Sequence, residues 1–355
     1  MSFVKRTELR MFDGRQIFYF DSSPVDRVAV DIRPFEPRPL PGDMREDLLT
    51  GEWIAIAAHR QGRAFLPPKE FCPLCPTKTD FGTEVADSNF EVVVFENRSP
   101  SFSAPSNELD AGVIQALGRC EVVVFSDHHE GSFGSLDRTH MRTVLAAWID
   151  RTREISKLPY VEQVFVFENR GEEVGVTLNH PHGQIYSYPF ITPRTIKMLN
   201  VAQEHFDKTG IPLITSIIQR EIKDGIRIVS QNEHWIAYVP YAARYPYEIH
   251  VAPKVFVPDF AELTDTVADA FPEIAREVLL RLDGVFNIPM AYIAAWHQAP
   301  VRTGREVFGL HWQITSVRRA PGKLKYLAGS ESAMGAFIMD VKPEKSAEEL
   351  RNVQL

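Results

Sequence analysis

One short pattern occurs twice, as His182-Gly183-Gln184-Ile185 and as His311-Trp312-Gln313-Ile314. The order of elements before each copy is also shared. In the first half, the apolar runs at 91–95, 121–125 and 163–167 are rich in β-branched and aromatic residues and bounded by turn formers, so they read as strands. Residues 136–155 carry Met141, Val144, Leu145, Trp148 and Ile149 at helical spacing, which predicts a helix crossing between strands. The second half reads the same way, with strands at 235–240, 248–253 and 291–296 and a helical pattern over 264–285. A chain built by internal duplication has to pack two like units together. The position matching His180 is Gly309, and Cys72 and Cys75 have no counterpart, so the second unit keeps the strand and loses the chemistry.

The bulk properties fit two such units. With 355 residues, 44% hydrophobic and 24% charged, the chain has the composition of a soluble globular protein of about two domains. A net charge of −8 argues against nucleic acid or an anionic membrane as partner. The N-terminus lacks an apolar leader and no apolar run reaches spanning length, so a cytoplasmic enzyme is the expectation. Residues 1–42, proline-rich near their end, read as an N-terminal arm; 43–195 form the first half and 196–355 the second. Three cysteines cannot all pair, and Cys72-Pro73-Leu74-Cys75 suits a metal site or reactive dithiol better than a disulfide framework.

The segment Asn179-His180-Pro181-His182-Gly183-Gln184-Ile185 carries the chemistry. On an extended strand His180, His182 and Gln184 share a face, Gly183 between them admits a bulky anion, and Pro181 argues for a strand start or edge. A neutral imidazole is a good nucleophile towards phosphorus, and an amide two residues on can donate to the phosphoryl oxygen. A pair of histidines merely satisfied in a half-buried strand is the competing reading. Two histidines and a glutamine on one face make it the weaker one.

Together with Phe167-Glu168-Asn169-Arg170-Gly171, this segment resembles the active-site signature of the galactose-1-phosphate uridylyltransferases. The resemblance runs over residues 43 to 340, through Leu49-Thr50-Gly51-Glu52-Trp53, His59-Arg60, Glu233-His234-Trp235, Ala295-Trp296-His297 and His311-Trp312-Gln313. It implies an α+β fold of duplicated histidine-triad-like units around a largely antiparallel sheet with flanking helices.

The implied reaction is ping-pong exchange of UMP between UDP-glucose and galactose 1-phosphate, a step of galactose metabolism. By the resemblance His182 is the nucleophile and becomes uridylylated, and Gln184 binds a non-bridging oxygen of the transferred group. Arg60, Arg63, Asn97, Asn169 and Thr177 match substrate contacts, and Lys325, Tyr326 and Glu331 match residues that reach the sugar nucleotide from the partner of a homodimer. One metal per chain is implied at Cys72, Cys75, His129 and His180. Zinc suits these ligands and iron stays open. A one-residue slip would exchange His129 for His128. A second metal site of some relatives uses a glutamate and three histidines, but here the matching positions are Met198, His297, Thr315 and Val317, so none is expected. Two other functions stay in view: an ADP-glucose or dinucleoside-polyphosphate phosphorylase of the same superfamily, and a non-catalytic zinc-stabilised nucleotide binder.

Overall fold

The computed structural model describes residues 4–34, 38–62, 66–106 and 112–355. Strands β1 (Lys5–Arg10) and β2 (Gln16–Asp21) open the chain, followed by a small hairpin of β3 (Asp43–Glu46) and β4 (Trp53–Ile56). Then come β5 (Val92–Glu96), β6 (Arg119–Val124), helix α1 (Arg138–Ile155), β7 (Gln163–Arg170) and β8 (His182–Tyr188). Helices α2 (Pro193–Thr209) and α3 (Leu213–Asp224) lead to β9 (Ile228–Gln231), β10 (Trp235–Tyr238), β11 (Tyr247–Pro253), α4 (Asp265–Gly284), β12 (Tyr292–His297) and β13 (His311–Ser316). The chain closes with a hairpin of β14 (Arg318–Ala320) and β15 (Lys323–Leu324), then α5 (Gly329–Met334) and α6 (Pro343–Asn352).

Among the described residues, eleven strands form one sheet in the order β1-β2-β5-β6-β8-β7-β12-β13-β11-β10-β9, with each neighbouring pair antiparallel. The order reads outward in the same way from the β7–β12 seam: β8, β6, β5 on one side and β13, β11, β10 on the other. The duplication is therefore a pseudo-two-fold about that seam. His182 and His311 occupy equivalent places in it.

The residues that predict α1 are the ones it buries: Met141, Val144, Leu145, Trp148 and Ile149 face the sheet, and Asp137 caps the first turn by accepting from the His140 N–H at 2.9 Å. Helix α4 does the same in the second half, with Val267, Phe271, Ile274, Val278 and Leu282 buried. The two helices pack on one face of the sheet. There the Trp296 and Trp312 rings stack at 5.4 Å, with Trp148 at 6.1 Å and Trp235 at 6.2 Å from Trp296. Large aromatic areas buried at one point tie the halves into a single core.

Within the segment read as an arm, residues 5–21 supply β1 and β2, and β2 pairs with β5. The aromatic run Ile17-Phe18-Tyr19-Phe20 is almost wholly buried, so this hairpin completes the sheet edge of the first half.

Candidate active site and metal centre

The face of the sheet opposite α1 and α4 carries the site. Along β8 the burial pattern alternates, with Gly183, Ile185 and Ser187 turned to the core and His182, Gln184 and Tyr186 to the other side. His182, Gln184 and Tyr186 line a cavity of about 480 Å³, together with Phe95, Phe167 and Asn169 from β5 and β7. Arg60, Asn97, Arg98 and Thr177 reach it from the loops. Antiparallel pairing of β7 with β8 sets Phe167 opposite Gln184 and so brings Asn169 to the same cavity.

The His182 ring is fixed by its own strand. Its Nδ1 lies 2.8 Å from the carbonyl oxygen of His180, and a carbonyl only accepts, so Nδ1 carries the proton and Nε2 the lone pair. That is the tautomer a nucleophile needs. Arg60 is held in place by the Ser101 hydroxyl and by Tyr186 Oη at 3.1 Å, the first of these a close contact. The Gln184 side-chain oxygen and His59 Nε2 are buried without a hydrogen-bond partner. A buried polar atom in that state costs about 1–3 kcal/mol, which a ligand bonding to it would remove.

Two features differ from the sequence expectation. His180 does not share the face of His182 and Gln184, because the strand begins only at His182; Pro181 supplies no N–H, and its carbonyl accepts from Phe125 N at 3.1 Å instead. Gly183 is required by the core rather than by an anion, since a Cβ there would lie 2.8 Å from the Phe125 ring and 3.0 Å from the Phe167 carbonyl oxygen.

His180 turns instead to Cys72, Cys75 and His129, and the ligand atoms of these four residues lie within 4.8 Å of one another. Cys75 Sγ is 3.3 Å from His129 Nδ1 and 3.4 Å from His180 Nδ1. Zn–S and Zn–N bonds at a tetrahedral angle would put sulfur and nitrogen about 3.5 Å apart, so the spacing fits one tetrahedral ion. The outer contacts fit as well: His180 Nε2–H donates to the Ser126 carbonyl at 2.7 Å, leaving the Nδ1 lone pair facing the cluster. Burial keeps the His180 imidazole neutral, with a pKa of about 4, and together with Cys72 pushes the Cys75 thiol up to about 12. Metal binding must therefore release thiol protons. His128 stands outside this group, exposed and bonded to Asp127 at 2.5 Å.

The remaining predicted residues fall in two places. Arg63 lies outside the described residues. Lys325, Tyr326 and Glu331 do not line the cavity. Lys325 Nζ pairs with Glu331 at 3.0 Å and donates to the Ile338 carbonyl at 2.6 Å, while Tyr326 is 77% exposed. Phe95, Arg98 and Tyr186 were not singled out from sequence. Tyr186 had a usable signal, as the next residue after Gln184 on the period-two face.

A histidine of fixed tautomer, a guanidinium and several amides around one cavity equip the molecule for group transfer, and its class is that of the nucleotidyltransferases. The N-terminal domain model of galactose-1-phosphate uridyl transferase matches residues 43–192 and the C-terminal domain model residues 198–354, so the chain belongs to that family. It is similar to a galactose-1-phosphate uridylyltransferase of Streptomyces lividans, 42% identical over 99% of this chain and 98% of the relative. The corresponding enzyme of Thermotoga maritima is 32% identical, over 88% of this chain and 99% of its own. Among solved structures, a uridylyltransferase at 33% identity superposes with a TM-score of 0.78, covering 88% of this chain and 98% of that one. An ADP-glucose phosphorylase of Arabidopsis thaliana is 25% identical over 88% of this chain and 93% of the relative.

Proposed function

We propose that the protein transfers UMP from UDP-glucose to galactose 1-phosphate through a uridylyl group carried on His182. The observation that carries this reading is the His182 ring itself, held by the His180 carbonyl so that its Nε2 lone pair is the attacking pair, within the cavity of a uridylyltransferase-family chain. Nε2 attacks the α-phosphorus of UDP-glucose, the bond from that phosphorus to the bridging oxygen breaks, and glucose 1-phosphate leaves with the bonding electrons. As the ring becomes cationic, its Nδ1–H bond to the carbonyl strengthens. Gln184 donates to a non-bridging oxygen, and Arg60 meets the phosphate charge with a fork of N–H donors. A phosphate oxygen of galactose 1-phosphate then attacks the same phosphorus, the P–N bond breaks, and UDP-galactose leaves with His182 restored.

In this reading Cys72, Cys75, His129 and His180 hold one zinc ion, with iron as the other candidate. Bound there, the metal is structural: it clamps the loop that bears the cysteines to the start of β8, beside His182. The enzyme acts in the cytoplasm; among the described residues no helix is long and apolar enough to cross a membrane. It works as a homodimer in which Lys325, Tyr326 and Glu331 serve the partner's site. Their absence from the lining of their own cavity and the exposure of Tyr326 support that reading.

Initial rates test the reaction. Parallel lines in double-reciprocal plots, with exchange of labelled glucose 1-phosphate into UDP-glucose in the absence of acceptor, are expected. Intersecting lines without exchange, or turnover of ADP-glucose in preference to UDP-glucose, would refute it. Mixing inactive His182→Ala with inactive Glu331→Ala protein under subunit exchange should restore part of the activity; silence in demonstrated heterodimers removes the shared site.

A further inference from the structure

The second half has a cavity of its own, of about 280 Å³, at the pseudo-two-fold counterpart of the active site. Strand register fixes the equivalence. Val122 stands opposite Gln184 as His250 stands opposite Gln313, and Phe95 opposite Val122 as Tyr238 opposite His250. His311 even repeats the ring-fixing bond, with Nδ1 at 2.8 Å from the Gly309 carbonyl. Its Nε2, however, accepts from the Gln313 amide at 3.1 Å, so the lone pair is occupied. The site is built to bind without attacking.

Three cations converge on this cavity, Arg194 and Lys197 from α2 and Arg244 from the connection before β11, and no acidic residue lines it. None of the three has a carboxylate partner among the described residues. Glu248 is close enough for its charge to act on Arg194 and Arg244, one negative charge against three positive, but its oxygens are engaged: one meets His250 Nε2 at 2.9 Å and the other accepts from Arg244 N at 2.6 Å. Like charges gathered in one hollow raise its energy until an anion enters. Tyr238, buried to 1%, also lines the cavity and its hydroxyl has no partner. His250, His311 and Gln313 line the strand side, and the rest of the wall is apolar, with Met198, Ala202, Leu213, Ile217 and Phe308 among its residues.

We infer that this cavity binds a small organic anion, a phosphate or carboxylate carried on an apolar body. Its volume is just below the roughly 300–1,000 Å³ usual for ligand pockets, which suits a compact molecule. The polar residues of the strand side are largely engaged with one another and with Arg194 and Glu248, so the hydroxyl groups of a sugar phosphate would find few partners against the apolar wall.

Phenyl phosphate is the probe, titrated calorimetrically into the whole protein with the active-site cavity held by UMP. One equivalent should bind. Arg244→Gln should weaken it about tenfold, the size of one lost charge-assisted bond, and Ala202→Phe, which fills the cavity, should abolish it. Both variants should transfer uridylyl groups at the native rate, and phenol and inorganic phosphate should each bind at least about tenfold more weakly than phenyl phosphate. Should Ala202→Phe fail to fold, Val201→Trp closes the same cavity from its rim. Absence of binding to the native protein, or undiminished binding to the cavity-filling variant, overturns the site. Phenol binding as tightly as phenyl phosphate overturns its anionic character. Because the readout is heat of binding rather than turnover, these outcomes are separate from failure of the transferase reading.

Discussion

His182 and His311 sit at equivalent points of one duplicated sheet, each with Nδ1 held 2.8 Å from the carbonyl two residues before it. What separates them is how the glutamine two positions on is held, and the residue two positions upstream. In the second half Gln313 turns inward to His311 and is itself held by Arg194 at 2.7 Å, whereas the Gln184 oxygen is buried without a partner beside the active-site cavity. Upstream, His180 reaches the cysteine cluster, while Gly309 is pressed by α3: a Cβ there would fall 2.2 Å from Ile214 Cγ2. One half braces its histidine strand with a cysteine–histidine cluster and the other with an apolar helix. In the proposed reaction, reactivity therefore depends on what surrounds a retained imidazole more than on the imidazole itself.

The largest expected break in this comparison is kinetic. His182→Ala should lower turnover by on the order of 10⁴-fold or more, because no other group forms the covalent link, while His311→Ala should stay within about tenfold of the native enzyme. Comparable losses in both would erase the distinction between the halves.

The two braces come next. Purified protein should contain one metal equivalent per chain, and Cys75→Ala should lose it and lower the melting temperature by on the order of 10 °C or more. Gly309→Ala probes the other brace and should cost about 1–3 kcal/mol through the clash with Ile214, read by denaturant unfolding. Two metal equivalents, or a fully stable Cys75→Ala protein without metal, would contradict the first assignment.

A third contrast lies inside the sheet. Glu121 is fully buried opposite Ile185, where the second half has Ile249 opposite Ile314. Burial opposes its ionisation, but Arg151, both of whose bonds to the carboxylate are 2.9 Å, and Arg119 hold its pKa down to about 2. Glu121→Gln should destabilise by about 3–5 kcal/mol at pH 7, since it leaves the arginines without their partner. The folded pKa lies below the ordinary 4.5, so this contribution is complete above pH 4.5 and is lost as pH falls through 2. Unfolding measured across that range checks the sign; a variant as stable as native at pH 7 would deny the ion pair any part in holding the first half together.

The smallest effect belongs to the seam between the halves. Burial raises Glu168 to about 7, against the pull of Arg170 and a bond from the Tyr292 hydroxyl at 3.1 Å. Here the folded state holds its proton more tightly, so stability falls as pH climbs from 4.5 through 7. Glu168→Gln should then be more stable than native by about 1–3 kcal/mol at pH 8, with the difference shrinking towards pH 5. Equal stability at both pH values would contradict it.

The duplication was legible because strand and helix periods are written in the buried residues themselves: the apolar positions of 136–155 and 264–285 are those that α1 and α4 turn to the sheet. Helices α2 and α3 left a fainter trace, since α2 buries only Thr195 and Ala202 and α3 only Ile218 and Glu221. The β1–β2 hairpin was hidden by the prolines that follow it, although Ile17 to Phe20 are core residues. At the site, the His-x-Gln alternation read correctly from His182 onward, but a period of two could not show that Pro181 ends the strand before His180. Nor could it tell which face Gly183 packs against, because that is decided by Phe125, distant in sequence. The full cluster needed the resemblance: a Cys-x-x-Cys pair says nothing of which histidines come to it from the loops after β6 and before β8.

In the proposed reaction one imidazole of the two carries the transferred group. Incubating the protein with UDP-glucose and no acceptor, then digesting it and locating the adduct by mass spectrometry under conditions that preserve the P–N bond, tests this most directly. A uridylyl group on the peptide containing His182, absent from His182→Ala and present in His311→Ala, is the predicted result. An adduct on the His311 peptide, or one that survives in His182→Ala, would contradict it.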